Sequence, residues 1–480
     1  MFESSMKTRQ ILASISLLAA TPLMAGTQYT VVGNATSAGA NTARGKLVYS
    51  GGYLFGTSQF GGTSGKGTVF RFDPAMGSYQ VNHSFDGANG GQNPGGGLIK
   101  ANDNRFYTAT YGGMNGQGTL FRIDQPGNFP ETIRQFQAGT TGGNPDSAPT
   151  QASDGKLYGV TGTGGDNGFG GIYQSNLDGT GYTLLRSFTG TTGGTRGKGS
   201  FNGGLVEGPG GMLYGCTHMG GNAGDTGLFF ATSTNGITYN FFHAFDAPGL
   251  TKPCNQLLLA SDGFFYGATE EGGAANRGGL FRIAPGGDYT ELRSFSNNLD
   301  GFAVYSPLIE GSDGYLYGCA FYSSNNLGSV FRMSKDGKGF TVLHRFAGGL
   351  ADGSQPDSAL VETSNGVFYG TTTSDGANGV GIVYKIETTL EAPTLKVKGT
   401  LRPKFRGNSL RLRGTASDDL SGVRVEYATK KAYKPAKGTT AWRARIPVKP
   451  TTRRVTVRVR AVDTDALASP ITTIRARRSK

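Results

Sequence analysis

The clearest copy of a repeated segment in this chain reads Asp154-Gly155-Lys156-Leu157-Tyr158-Gly159-Val160-Thr161. An Asp-Gly pair suits a tight hairpin turn because both residues accept positive φ, and the aromatic and β-branched residues after it favour a strand. The aromatic residue before the strand's Gly or Thr recurs every 51 to 56 residues, at Phe55, Tyr107, Tyr158, Tyr214, Tyr266, Tyr317 and Tyr369. Seven copies at a nearly fixed period indicate a repeat architecture.

Each unit is predicted to contain four short strands. An apolar strand such as Leu257-Leu258-Leu259-Ala260 precedes the turn, and the Leu-Tyr-Gly strand follows it. A Gly-Gly loop then leads to a third strand, such as Thr119-Leu120-Phe121-Arg122, and a fourth resembles Tyr182-Thr183-Leu184-Leu185. Four strands in about 52 residues are typical of a β-propeller blade. The sequence therefore predicts an all-β protein with a seven-bladed β-propeller over residues 26–390.

The seventh unit lacks its fourth strand, because the repeat ends after Tyr384-Lys385. The segment Tyr29-Thr30-Val31-Val32 matches Tyr182-Thr183-Leu184-Leu185 position for position. We expect this N-terminal segment to complete the last blade and close the ring, which also removes exposed strand edges.

Composition agrees with an all-β fold. Glycine supplies 81 of the 480 residues, more than double its usual share of roughly 7%. Glycine at this density disfavours helices. The 29 Phe and 21 Tyr residues provide too much apolar surface for a disordered chain.

Residues 1–25 are predicted to be a signal peptide. Two basic residues precede a short apolar run, Ile11 to Ala20, and a small-residue segment ending at Ala25 suits signal peptidase. The run is too short to cross a bilayer. We therefore expect an exported protein, located in the periplasm, at the cell surface or outside the cell, without a transmembrane segment in the mature chain.

The cysteines do not form a disulfide framework, because there are only three, Cys216, Cys254 and Cys319. One bridge, between Cys216 and Cys254, stays open as an alternative in an oxidising compartment.

The tail, residues 391–480, is a separate and strongly basic unit with 23 Lys+Arg and 6 Asp+Glu. Its segments alternate apolar and basic residues, as in Leu410-Arg411-Leu412-Arg413, which predicts half-buried strands. We expect an immunoglobulin-like β-sandwich with a buried Trp442. One exposed sheet face is predicted to carry Arg411, Arg413, Arg443, Arg445, Arg458 and Arg460. Such a face would bind polyanions, whereas the alternative is a soluble basic face that repels other copies. Specific nucleic-acid recognition is not expected.

The repeat pattern Asp-Gly-x-Leu-Tyr-Gly-x-Thr, Gly-Gly and Gly-Thr-Val-Phe-Arg resembles the GloVer (Gloeo/Verruco) repeat of bacterial choice-of-anchor proteins, over roughly residues 45–388. This resemblance implies export and a C-terminal anchoring module, and it implies no catalytic residues. The tail resembles bacterial surface Ig-like modules in Gly414-Thr415-Ala416-Ser417-Asp418.

No catalytic residues, metal site or cofactor are predicted. His83, His243 and His344 occupy one repeat position, so they lie on different blades and are expected to be structural. The repeated tyrosines are expected to pack between blades. The Asp-Gly turns are expected to serve turn chemistry rather than calcium binding.

The loops from strand two to three, and from strand four to the next blade, are expected to line one face around the mouth of the channel. We predict ligand-binding residues where these loops depart from the Gly pattern. They are Tyr111, His218, Glu270, Glu271, Tyr322 and Asp375. The alternative is that these are solvated loop residues without a special role.

The favoured function is a non-catalytic binding or scaffold protein. Its propeller face would recognise a ligand, and its tail would hold the protein on a polysaccharide, another anionic surface polymer or a surface protein. The alternative is a glycan-active propeller enzyme, such as a hydrolase, lyase or oxidase. In that case a substitution at Glu270 or His218 would abolish turnover without unfolding the protein.

Overall fold

The computed structural model describes residues 27–388 and the strands of the tail between residues 394 and 478. The first range has gaps at residues 36–40, 88–90, 114, 125–129, 138, 140, 146, 191–202, 222–224, 296–299 and 324. The predicted signal peptide lies outside the described residues. Within the described part of the chain, every helical segment is too short or too polar to cross a membrane.

Seven sheets of four or five strands form a seven-bladed β-propeller, as the repeats predicted. Blade 1 contains β2 (Asn41–Ser50), β3 (Tyr53–Phe60), β4 (Thr68–Asp73) and β5 (Ser78–Ser84). Blade 2 contains β6 (Gln92–Pro94), β7 (Ile99–Lys100), β8 (Phe106–Gly112), β9 (Thr119–Ile123) and β10 (Glu131–Gln135). Blade 3 contains β11 (Thr150–Gln151), β12 (Leu157–Thr161), β13 (Gly171–Ser175) and β14 (Thr183–Ser187).

The other blades follow the same plan. Blade 4 contains β15 (Val206–Glu207), β16 (Leu213–Thr217), β17 (Leu228–Thr232) and β18 (Tyr239–Ala244), with a 3-10 turn at Pro209–Gly211. Blade 5 contains β19 (Leu250–Pro253), β20 (Leu258–Leu259), β21 (Phe265–Gly272), β22 (Gly279–Ile283) and β23 (Tyr289–Ser294). Blade 6 contains β24 (Ile309–Glu310), β25 (Leu316–Ala320), β26 (Ser329–Met333) and β27 (Thr341–Arg345). Blade 7 contains β28 (Gly353–Pro356), β30 (Val361–Ser364), β31 (Val367–Asp375), β32 (Ile382–Thr388) and the N-terminal strand β1 (Thr27–Asn34). Strand β29 (Ser358–Ala359) pairs in parallel with β2 and belongs to the sheet of blade 1.

One carboxylate ties the Asp-Gly turn to the strand after it. In blade 3, Asp154 accepts a hydrogen bond from the backbone N–H of Lys156 at 3.0 Å and from the hydroxyl of Tyr158 at 2.6 Å. The same tyrosine-to-aspartate bond joins Tyr107 to Asp103, Tyr266 to Asp262 and Tyr317 to Asp313. These aspartates therefore serve the turn chemistry that was predicted for them.

The repeated tyrosines pack between blades, as predicted. Tyr158 of blade 3 lies in a buried cluster with Leu213 and Phe230 of blade 4. Tyr266 of blade 5 lies in a second buried cluster with Phe331 of blade 6. Burial of a large apolar side chain contributes about 1.5–3 kcal/mol, so each blade depends on its neighbour for much of its stability.

A second set of contacts joins the fourth strands of neighbouring blades. An Arg or His late in one fourth strand lies on an aromatic ring of the next blade. The pairs are Arg134 over Tyr182, Arg186 over Tyr239, His243 on Tyr289, Arg293 over Phe340 and His344 on Tyr29, with separations of 4.2, 4.1, 4.4, 3.9 and 3.4 Å. This repeat position therefore carries side chains that join blades, which explains the spacing of the histidines.

The N-terminal strand closes the ring, as predicted. Strand β1 pairs antiparallel with β32, from Thr27 opposite Thr388 to Asn34 opposite Ile382. The ring of Tyr29 stacks on His344 of blade 6, and its hydroxyl donates a hydrogen bond to Asp352.

Asp352 is the polar centre of this closure. Its carboxylate lies 3.1 Å from Nε2 of His344 and accepts the N–H of Ala347 at 2.9 Å. Burial works to raise the pKa of Asp352, but the hydrogen bonds from His344 and Tyr29 outweigh it, and the pKa lies below its usual value.

The alternative bridge between Cys216 and Cys254 is not formed, since all three cysteines are free and buried. The thiol of Cys254 instead donates to the backbone carbonyl of Val304 at 3.3 Å, and burial raises its pKa.

The tail contains eight described strands in two small sheets. One sheet has the order β33 (Thr394–Val397), β35 (Ser409–Ser417), β38 (Ala441–Pro447). The other has the order β34 (Lys404–Phe405), β40 (Thr472–Arg478), β39 (Arg454–Val462), β36 (Arg424–Ala428), β37 (Lys434–Pro435). Buried residues alternate with exposed ones in β35 and β38, as predicted. The side chain of Trp442 lies outside the described residues.

Deletion of residues 27–33 should destabilise the whole propeller rather than fray one end. The deletion removes Tyr29 and Val31 from the core between blades 6 and 7, and we expect a loss of about 3 kcal/mol or more in the free energy of unfolding. Urea unfolding followed by circular dichroism measures this. An unchanged transition midpoint would contradict ring closure by β1.

The closure should weaken in acid. Folding lowers the pKa of Asp352, so its contribution to the unfolding free energy is complete above its unfolded pKa of about 3.9 and is lost as the pH falls through the lower folded value. Unfolding free energies measured between about pH 5 and pH 3 should therefore fall more steeply for the native protein than for Asp352→Asn. Parallel pH profiles would show that this carboxylate does not stabilise the closure.

Candidate functional site

Two kinds of segment meet on one face of the ring. These are the loops that leave the second strand of each blade and the segments that lead into the first strand. In blade 5, β19 (Leu250–Pro253) pairs with the last residues of β21, with Leu250 opposite Gly272. We call this side of the ring the mouth face. It contains all six predicted propeller site residues.

His218 and Glu270 are brought together across the boundary between blades 4 and 5. Nε2 of His218 lies 3.5 Å from a carboxylate oxygen of Glu270, and Nδ1 lies 3.3 Å from the carbonyl oxygen of Pro253. His218 is only 6% exposed. Burial lowers the pKa of its imidazole, and the carboxylate of Glu270 partly opposes this effect.

Tyr305 extends this pair into blade 6. Its hydroxyl donates a hydrogen bond to the other carboxylate oxygen of Glu270 at 3.2 Å. Burial raises the pKa of Tyr305, and the negative charge of Glu270 adds to the rise. We call His218, Glu270 and Tyr305 the mouth cluster. These three side chains can hold a proton and offer polar groups to a ligand. The side chain of Glu270 is about one-third exposed.

Glu271 forms a separate ion pair beside the mouth cluster. Nζ of Lys252 lies 2.7 Å from its carboxylate, and both side chains are partly exposed. Glu270 and Glu271 therefore have different partners, although they are neighbours in sequence.

Tyr322 belongs to a group of partly exposed rings in blade 6. Its ring centroid lies 5.4 Å from that of Phe302 and 4.8 Å from that of Phe321, and Phe321 in turn contacts Tyr305 at 5.6 Å. We call Phe302, Tyr305, Phe321 and Tyr322 the ring patch. Tyr305 belongs to both groups, so it connects the aromatic side chains to the mouth cluster.

The other two predicted residues lie elsewhere on the mouth face. Tyr111 is in blade 2 and is 47% exposed. Asp375 is in blade 7 with a φ of 63°, where the matching residue of blade 5, Gly272, has a φ of 82°. Asp tolerates this left-handed conformation, so Asp375 has a turn role.

Sequence reasoning missed Lys252, Phe302, Tyr305 and Phe321. Three of them lie in the segments that enter the first strands, and the prediction named no residue from those segments. The segment that enters the first strand reads Asn93-Pro94-Gly95 in blade 2 and Ala303-Val304-Tyr305 in blade 6. Aligning the repeats at this segment would have revealed that blade 6 has an aromatic residue where blade 2 has glycine.

The tail places four of its predicted arginines on one surface. Arg411 lies directly opposite Arg445, and Arg413 directly opposite Arg443, in the pairing of β35 with β38. All four are exposed, while Leu412 and its neighbours on the other face are buried. Directly opposed residues have Cβ atoms roughly 4.5–5.5 Å apart, so like charges are concentrated here. We call these four residues the arginine face.

The predicted single face of six arginines is wrong. Arg458 and Arg460 lie on β39, which belongs to the other sheet, and Arg460 is paired with Glu426 in the strand register. Alternation determines which side of its own strand a residue occupies, but it does not determine which strands share a sheet.

In the described part of the chain, no group of three or more His, Cys, Asp or Glu side chains is arranged to hold a metal ion. The chemistry available at the mouth face is hydrogen bonding, charge and aromatic contact. Burial raises the pKa of the Cys254 thiol and so favours its protonated form.

Glu270→Gln should lower the pKa of His218 further. The carboxylate stabilises the imidazolium, and its removal leaves the desolvation that already depresses the pKa. Chemical-shift titration of the four histidines measures this, with His83 and His243 as internal controls on other parts of the ring. An unchanged or raised pKa for His218 would show that the two groups are not coupled in solution.

Comparisons with known proteins identify the family of the repeats. The sequence profile of the Gloeobacter/Verrucomicrobia repeat matches residues 20–151 and 200–408. A search of the curated proteins finds no match. Among solved structures, an ulvan lyase, a polysaccharide lyase bound to a GlcA-Rha3S ligand, is 10% identical with a TM-score of 0.45, covering 73% of this chain and 95% of that one.

A puromycin-hydrolysing peptidase of Mycobacterium tuberculosis is 12% identical with a TM-score of 0.45, covering 80% of this chain and 62% of that one. Similarity at this level says nothing about activity. The repeat profile covers most of the chain, and the protein belongs to the Gloeobacter/Verrucomicrobia repeat family.

Proposed function

We propose that this protein is an exported, non-catalytic binding protein that is held on an anionic polymer by its basic tail, while its propeller presents a recognition face. The observation that carries the proposal is the register of the arginine face, in which Arg411 opposes Arg445 and Arg413 opposes Arg443. The tail would be an Ig-like sandwich that displays this face.

Opposed like charges make the arginine face favourable for an anion. Like charges directly opposite in a sheet destabilise it by roughly 0.2–1 kcal/mol per pair. A bound polyanion would remove this repulsion and add charge-assisted hydrogen bonds to the guanidinium groups. The tail has 23 Lys+Arg and only 6 Asp+Glu, so its own carboxylates are too few to neutralise it.

The propeller fits a scaffold better than an enzyme. Its blades are regular, and the departures from the repeat in blades 4 to 6 form the mouth cluster, whose groups bond to one another. The alternative of a glycan-active enzyme is favoured by one observation, the convergence of His218, Glu270 and Tyr305 within hydrogen-bonding distance. Turnover of a glycan that is lost in His218→Gln with the fold intact would establish the enzyme and overturn the non-catalytic proposal.

Removing two opposed arginines should weaken polyanion binding and its dependence on salt. A short DNA duplex serves as a polyanion of known charge spacing, although DNA is not the proposed partner. For the full-length variant Arg411→Gln/Arg445→Gln, we expect the slope of log K against log salt concentration to decrease by about two, since each contact contributes roughly 0.9.

The matched control is Arg454→Gln/Arg475→Gln, which removes the same charge from the other sheet. If both double variants lose affinity equally, the tail binds through its net charge alone, and the specific role of the arginine face is wrong. Equal affinity of all three proteins would also contradict it.

A further inference from the structure

Blade 6 departs from the other blades where its chain enters the first strand. The residue with positive φ is Asn93, Asn144, Lys252 or Gln355 in four other blades, but it is Ala303 in blade 6, with a φ of 58°. The left-handed conformation is therefore shared by five blades, and blade 6 differs in the residues that occupy this segment. Departures of the sequence from a regular repeat are typical of binding sites.

The residues around Ala303 build an aromatic surface. Phe302 and Tyr322 exchange backbone hydrogen bonds, with their N–H and carbonyl groups 2.9 and 3.2 Å apart. This short bridge holds the two rings side by side, and both are partly exposed. Phe321 and Tyr305 extend the surface toward Glu270. The ring patch is therefore positioned by the backbone rather than by mobile side chains.

Charged groups border the ring patch and balance one another. The guanidinium of Arg277 lies 4.3 Å from the centroid of Phe302, and Glu270 receives the hydroxyl of Tyr305. Lys252 and Glu271 form an ion pair nearby. The positive charges of Arg277 and Lys252 balance the negative charges of the two glutamates, so the border has no net charge. A border without net charge suits a neutral polar ligand better than an anion or a cation.

We propose that the ring patch and its charged border form a subsite for a neutral sugar unit of a glycan chain. A pyranose ring has an apolar C–H face, which fits the face of an aromatic ring, and hydroxyl groups at its edge. Glu270 would accept hydrogen bonds from those hydroxyls, and Arg277 would donate to their oxygens. The subsite deepens the proposed recognition role of the propeller face and rests on it.

Titration calorimetry of the full-length protein with neutral hexasaccharides tests this subsite. The panel contains cellohexaose, laminarihexaose, xylohexaose and mannohexaose. We expect at least one to bind, with Tyr322→Ala weakening it at least tenfold and Glu270→Gln weakening it severalfold. Tyr322→Leu retains apolar volume without the aromatic face and should also lose affinity, which covers the case in which the alanine variant does not fold.

The control variant is Phe241→Ala, which removes a 49%-exposed ring from the fourth strand of blade 4. It should leave glycan affinity unchanged. Failure of all four hexasaccharides to bind, or equal affinity for the native protein and Tyr322→Leu, would overturn the subsite. The polyanion test with Arg411→Gln/Arg445→Gln is independent of this result, so the two proposals can fail separately.

Discussion

Closure of the ring is the constraint on which the rest of this structure depends. Each blade buries one aromatic face against the next blade, as Tyr158 does against Phe230, so every blade requires a neighbour on both sides. Blade 7, the last blade, is completed by strand β1 from the N-terminal end of the chain. Because Tyr29 contacts both His344 and Asp352, the N-terminal strand joins blades 6 and 7 at once. Folding of the propeller is therefore coupled from the first described strand to the last.

The regularity of the blades makes their departures informative. Four blades have an X-Pro pair where the chain enters the first strand, at Asn93-Pro94, Asn144-Pro145, Lys252-Pro253 and Gln355-Pro356. Blade 6 has Ala303-Val304 in that place, followed by Tyr305. His218 and Glu270 lie at the same repeat position as Phe321, in three consecutive blades. Polar and aromatic groups are thus collected on one sector of the mouth face, while the blades beneath them keep their packing. A rigid scaffold with a variable sector is a common arrangement for recognition.

Charged residues are used differently in the two parts of the chain. Residues 1–390 carry 23 Lys+Arg and 27 Asp+Glu, and the propeller uses several of these groups in contacts between blades. Arg134, Arg186 and Arg293 lie over rings of the next blade. In the tail, by contrast, arginines oppose arginines across β35 and β38. The first pattern joins neighbouring blades, and the second places like charges opposite one another on one face of a sheet.

The sequence by itself determined the number of blades, the order of strands within them and the origin of the closing strand. These features follow from local turn chemistry and from a fixed period, which are properties of consecutive residues. It also pointed to His218, Glu270, Glu271 and Tyr322, because each interrupts the Gly pattern. Only the tertiary structure decided which of these residues meet, since contact between blades joins positions about 50 residues apart. Contacts between distant positions also explain why Tyr305 bonds to Glu270 while Tyr111 lies in a different part of the mouth face. The pairing of distant strands likewise places the predicted arginines in two different sheets.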